Sequence, residues 1–182
     1  MEKNNAKFPL LVMAGGMGSR MDFPDKGILM FHGNTLIDRG VNMLKDYTKN
    51  VFIATSDNTK ITKEYYGNKY RIIETGGHGY SMDLSSVLGK IGVYPIIVIP
   101  SDLYISYESV IQRFMNEALH RNSGIVSMLI GGLFCGLSIF FSNPESVEED
   151  KFYYVNFTER DAFNINTKID YYLLLNRAER MK

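Results

Sequence analysis

The 182 residues set 20 Lys and Arg against 20 Asp and Glu, and 45% of them are hydrophobic, enough for one packed domain. That composition argues against disorder, and zero net charge argues against a protein that lives on polyanionic nucleic acid. The single cysteine, Cys135, excludes a disulfide framework or multi-cysteine zinc site, the three histidines lack metal-ligand spacing, and a reducing cytoplasm is the natural setting.

After Met1 to Lys7 come seven apolar residues, Phe8 to Ala14, which run into Gly15-Gly16 with no small-x-small cleavage site. They read as a strand buried on both faces rather than a signal peptide. Asn34 or Thr35 then caps an amphipathic helix in which Leu36, Gly40, Met43, Leu44 and Tyr47 recur at helical spacing. A strand is predicted over 50–55, a short helix over 59–66 and a third strand over 70–75. After the glycine loop at 76–79, residues 81–91 read as a helix with Asp83 in its first turn. Residues 95–99 form the clearest buried strand, closed by Pro100-Ser101-Asp102. Residues 106–121 form the clearest helix, with Val110, Ile111, Phe114, Met115, Ala118 and Leu119 as one apolar stripe.

Residues 122–144 carry no charge, and 124–141 reach the minimum length of a membrane helix. Glycines interrupt the stretch, and Gly131-Gly132 divides it into two buried strands, 125–130 and 133–141, that need no bilayer. A strand over 151–157, the segment Phe163-Asn-Ile-Asn166 and a helix from about Thr167 close the chain. Strands alternating with helices imply βαβ units. The expected fold is α/β, a Rossmann-like three-layer sandwich with a mostly parallel sheet, in one domain over 1–182.

Three places carry chemistry. In the first, strand one enters Ala14-Gly15-Gly16-Met17-Gly18-Ser19-Arg20, with Asp25-Lys26 just beyond. Glycines there let backbone N–H groups face a phosphate with no Cβ in the way. Arg20 can add a bidentate contact and Lys26 a mobile charge. The spacing fits neither the dinucleotide fingerprint nor the Walker A loop, and an ordinary strand-to-helix turn with solvated charges is the plainer alternative.

The second place is Asp102, just past the carboxyl end of the most apolar strand, where open α/β sheets bind ligands. A carboxylate beside a polyphosphate implies a shared Mg²⁺; a simple cap is the alternative. The third is Asn164-Ile165-Asn166-Thr167. Thr167 and Asp170 suit a capping box, the two amides point to one face of a strand, and an amide oxygen can ligate Mg²⁺. There is no Gly-x-Ser-x-Gly elbow, Cys135 lies in apolar surroundings that suit an inert thiol, and His78 fits loop chemistry better than catalysis.

The run Leu11-Val-Met-Ala-Gly-Gly-Met-Gly-Ser-Arg-Met21 followed by Asp25-Lys26 resembles the MobA-like nucleotidyltransferases, which have the nucleotide-diphospho-sugar transferase fold. Phe52-Ile-Ala-Thr-Ser56, Thr62-Lys-Glu-Tyr65, Gly79-Tyr80 with Asp83-Leu84, Ser101-Asp102-Leu103 and Phe163 to Lys168 extend the likeness along nearly the whole chain, toward the archaeal cobinamide-phosphate guanylyltransferase branch. The resemblance implies transfer of GMP from GTP to adenosylcobinamide phosphate, with release of pyrophosphate, in cobalamin biosynthesis. It implies that Ala14, Gly15, Gly16, Gly18, Ser19, Arg20 and Lys26 hold the triphosphate, and that Arg20, Lys26 and Asp102 are catalytic. Asp102 is then the principal Mg²⁺ ligand and Asn166 the second. Thr55, Ser56 and the segment from Gly79 to Asp83 lie around the nucleoside, and Glu74, Asp83 or a backbone carbonyl faces guanine.

One departure is that 122–141 is shorter than the family's acceptor-side segment. The competing readings are the same fold with molybdopterin or a sugar phosphate as acceptor, and a nucleotide-binding module without turnover. No nucleic acid or membrane partner is expected, and a homodimer is compatible with the sequence.

Overall fold

The computed structural model describes residues 7–16 and 25–179, with side chains described to 176. Strand β1 (Phe8–Met13) is buried throughout, and its residues alternate between two faces: Leu10 and Val12 enter one core, Leu11 and Met13 the other. A two-stranded hairpin, β2 (Met30–Phe31) and β3 (Asn34–Thr35), leads into α1 (Leu36–Leu44). Thr35 is its N-cap, the hydroxyl accepting from the Asp38 N–H at 3.0 Å. Next come β4 (Thr48–Thr55), α2 (Lys60–Tyr66), β5 (Arg71–Glu74) and α3 (Tyr80–Ile91). They are followed by β6 (Ile96–Pro100), β7 (Leu103–Ile105) and α4 (Glu108–Arg121), whose apolar stripe is buried as the periodicity requires.

The uncharged stretch folds as the hairpin β8 (Ile125–Ile130) and β9 (Leu133–Phe140). Gly131 and Gly132 turn it with φ of 58° and 83°, values that suit a two-residue turn and cost an L side chain dearly. Its interior serines pair with each other, Ser127 Oγ and Ser138 Oγ lying 2.8 Å apart. No helix among the described residues is long and apolar enough to cross a membrane. The chain ends with β10 (Phe152–Phe157), β11 (Ala162–Asn164) and α5 (Lys168–Glu179).

Seven strands form one sheet in the order β10-β8-β9-β6-β1-β4-β5. Every pair is parallel except those of β9, which runs antiparallel to both β6 and β8. Helices α1, α2 and α4 bury Ile37, Leu44, Tyr66 and Phe114 in the core on one face, and α3 buries Val87 and Leu88 in the core on the other. The expected three-layer sandwich is therefore what forms. A third, smaller core joins α5 to the β2–β3 hairpin through Leu29, Phe31, Leu36, Ile165 and Leu174. A side ladder of β7 and β11 sets Asn164 opposite Leu103, at the carboxyl end of β6.

Candidate active site

The site is built where β1, β4 and β6 all end. After β1 the Ala14 N–H donates to the Ala54 carbonyl at 2.9 Å, continuing the ladder with β4. The chain then leaves the sheet at Gly15, whose carbonyl accepts from Ser56 Oγ at 2.8 Å. A Cβ at Gly15 would stand 3.1 Å from Thr75 Oγ1, so the turn is packed from behind, while a Cβ at Gly16 would meet nothing within 4 Å among the described residues.

Lys26 enters from the next described segment and is fixed by its neighbour. Asp25 is buried, and its Oδ2 accepts from the Thr62 N–H at 2.7 Å while Oδ1 accepts from the Thr62 hydroxyl. Thr59, the N-cap of α2, makes no side-chain cap of its own, so Asp25 caps this helix from another part of the chain. Burial pushes the Asp25 carboxyl above its ordinary value, and the two Thr62 donors and the Gly27 N–H pull against that shift.

Lys26 Nζ donates to Asp102 Oδ2 at 3.2 Å. Asp102 is held in turn by the Ile165 N–H, which donates to its carbonyl at 2.8 Å, and by Asn164 Nδ2, 3.3 Å from Oδ1. The α3 side contributes the loop at 77–79 and Asp83. Asp83 is buried at the first turn of α3, and its Oδ1 accepts from the His78 N–H at 3.3 Å. Tyr80 turns its hydroxyl inward to the Gly136 carbonyl at 3.3 Å; burial, then the charges of Cys135 and Asp102, raise its pKa.

These parts enclose a cleft of about 380 Å³. Of the residues singled out from sequence, Ala14, Gly15, Gly16, Lys26, Gly79, Asp83 and Asp102 line it together. His78 is at its mouth, exposed, and enters the hydrogen bonding described above through its backbone. Gly18, Ser19 and Arg20 lie outside the described residues. Thr55 and Ser56 are buried behind the turn rather than lining the cleft, Ser56 acting through Gly15. Glu74 lies outside the cleft, exposed and paired with Lys63 at 2.7 Å.

Of the two amides, Asn164 is the one that reaches Asp102. Asn166 lines a second cleft, its N–H donating to Asp170 Oδ2 at 2.9 Å. The predicted strand stops at Asn164, and the capping box of Thr167 and Asp170 forms in both directions. Cys135 is the inert thiol expected, buried and pushed by that burial up to about 11. Asp25 and Asn164 are positioning groups that local motifs did not reveal, because their partners Thr62 and Asp102 are 37 and 62 residues away.

The chain belongs to the MobA-like NTP transferase domain family, whose model matches residues 10–134. It is 42% identical over 100 residues to the adenosylcobinamide-phosphate guanylyltransferase of Methanocaldococcus jannaschii, a match covering 51% of this chain. That match spans about half, 50%, of the length of this relative. The fold is shared with the CTP:phosphocholine cytidylyltransferase of Streptococcus pneumoniae (TM-score 0.72, 14% identity, 94% of this chain and 99% of that one). It is also shared with a Mycobacterium tuberculosis protein solved in complex with manganese (TM-score 0.68, 10% identity, 94% and 99%).

Proposed function

We propose that this chain transfers GMP from GTP to the phosphate of adenosylcobinamide phosphate, releasing pyrophosphate, as a step of cobalamin biosynthesis. The observation that carries the reading is the Lys26–Asp102 pair facing the glycine turn across one cleft. The likeness to the M. jannaschii enzyme supports guanine and the corrinoid acceptor in particular.

An acceptor phosphate monoester has a second pKa of about 6, so at neutral pH it arrives largely as a dianion and needs no general base. Its oxygen attacks the α-phosphorus in line, and the bond to the β-phosphate oxygen breaks as pyrophosphate leaves. What this asks of the protein is alignment and positive charge. In this reading the Gly15 and Gly16 amides, with Gly18, Ser19 and Arg20, cradle the triphosphate, and Lys26 stabilises the charge growing on pyrophosphate. Asp25, tied to Thr62, holds the Lys26 backbone in place. Asp83 is the acceptor for the guanine N1–H and exocyclic amine, being buried and part of the cleft wall where Glu74 is neither.

A divalent cation is part of the proposal, Mg²⁺ in particular. Among the described residues no group of three or more His, Cys, Asp or Glu could hold a metal unaided. One carboxylate at the edge of a phosphate site is nevertheless the donor set Mg²⁺ uses when the nucleotide supplies other ligands, so Asp102 fits. Asp102 would hold it, and when bound it would offset phosphate charge; Asn166, which lines the second cleft, is not part of that donor set. The chain would work in the cytoplasm as a single domain, alone or as a homodimer.

The test is pyrophosphate release with each of the four nucleoside triphosphates against adenosylcobinamide phosphate, with and without Mg²⁺. Release with GTP alone, dependent on Mg²⁺, is the expected outcome. Release only with molybdopterin or a sugar phosphate as acceptor would overturn the acceptor assignment.

A further inference from the structure

Two walls of the cleft belong to different parts of the fold. One is the loop at 77–79 with the first turn of α3 and Asp83; the other is the end of β6 with Pro100, Ser101 and Asp102. Their separation matters for catalysis, because a reacting group displaced by about 1 Å can cost roughly 10²-fold in rate.

The α3 wall is weakly fixed from within. It follows Gly76, Gly77 and Gly79, the last two with φ of 68° and 112°, and Gly79 is an N-cap that offers no side chain to the helix. Asp83 accepts from the His78 N–H, a bond inside the same segment. Tyr80 reaches across. Its hydroxyl donates to the Gly136 carbonyl of β9 at 3.3 Å, 56 residues further along the chain. Gly136 in turn lies against the second wall: a Cβ there would stand 2.8 Å from Pro100 Cγ, two residues before Asp102. A continuous path therefore runs from Tyr80 through Gly136 and Pro100 to Asp102.

The side chain suits that role. Tyr80 is 39% exposed, while burial, then the charges of Cys135 and Asp102, hold its hydroxyl well above the ordinary pKa. The ring is thus what lines the cleft, and the hydroxyl, turned inward, remains a donor at any working pH. Phe134 meets the ring edge-on at 6.4 Å between centroids and fixes its lean.

We infer that Tyr80 is a positioning residue that sets the span of the cleft, tying the wall of Asp83 to the wall of Asp102. The inference rests on the proposed transfer for the reaction it serves. With the span fixed, a nucleotide held by both walls keeps its α-phosphorus in line for attack. Affinity draws on each wall separately, so the tie acts on turnover.

Tyr80→Phe isolates the tie, since it keeps the ring and its contact with Phe134 and removes only the hydroxyl. Pyrophosphate release from GTP and adenosylcobinamide phosphate should show kcat lower by about tenfold, with KM for GTP unchanged. Hydrogen exchange should quicken at the two ends of the tie, 83–85 and 136–138, and stay as in the wild type elsewhere. Wild-type kcat in the variant, or exchange unchanged at both ends or raised throughout the chain, would overturn the inference. Wild-type protein that releases no pyrophosphate would remove the transfer reaction, and the exchange pattern alone would then decide whether the tie exists.

Discussion

Where β1, β4 and β6 run parallel, all three end on one edge of the sheet, and that edge carries the glycine turn, Ser56 and Asp102. Where β9 runs back between β6 and β8, the chain presents a hairpin tip, Leu133 and Phe134, to the same edge. The parallel half offers charge and backbone amides, and the antiparallel half offers apolar surface. One reversed strand thus gives a single edge two chemical characters.

The contrast breaks most sharply at Lys26. If the parallel half supplies the charge, Lys26→Ala should cut turnover by roughly 10²–10³, as losing one transition-state charge donor does. Pyrophosphate release at the wild-type rate would take Lys26 out of the mechanism. The seam between the halves is Gly136, with φ of 94° and space for a Cβ only 2.8 Å from the Pro100 ring. Gly136→Ala should therefore cost about 1–3 kcal/mol of stability, read as a lower midpoint in urea. An unchanged midpoint would mean that β6 and β9 are not tightly joined there.

Guanine selection comes next. Asp83→Asn should weaken GTP binding about tenfold, because an amide cannot accept both guanine donors. Glu74→Gln should leave the preference for GTP intact, and competition among the four nucleoside triphosphates reads both. The smallest effect concerns pH. Since the Asp25 carboxyl is raised in the fold, its contribution to stability is complete below the unfolded value near 3.8 and declines as pH climbs through the raised one. Subtracting the Asp25→Asn stability profile from that of the wild type should expose this downward slope, and a rising difference would reverse the assignment.

The elements that short-range pattern could define were legible in the sequence. The buried runs ending in Gly15 and in Pro100-Ser101-Asp102 announced both strands and the site at their ends, and the stripe on 108–121 announced α4. The glycine pair at 131–132 correctly split a stretch long enough to span a membrane. Less legible was whatever depends on chain segments meeting. Asp25 looked like a charge beside Lys26, yet its structural role comes from Thr62, across α2. Thr55 and Ser56 sit behind the turn because β4 lies beside β1, and strand pairing is invisible to local spacing. In α5, Leu174 is buried while its neighbour Leu173 is exposed, and Ile169 and Tyr172 are exposed too, so the apolar pattern fixed no single inner face.

The ion pair between Lys26 and Asp102 carries one further consequence. In the cleft each group is the other's counter-ion, so neither stands as a naked charge in a half-covered place. Under the proposed reaction, a nucleotide with its cation would offer both a replacement at once, phosphate for the ammonium and metal for the carboxylate. Loading would then be an exchange of partners with little net desolvation, and a nucleotide stripped of its cation would meet a lysine already engaged.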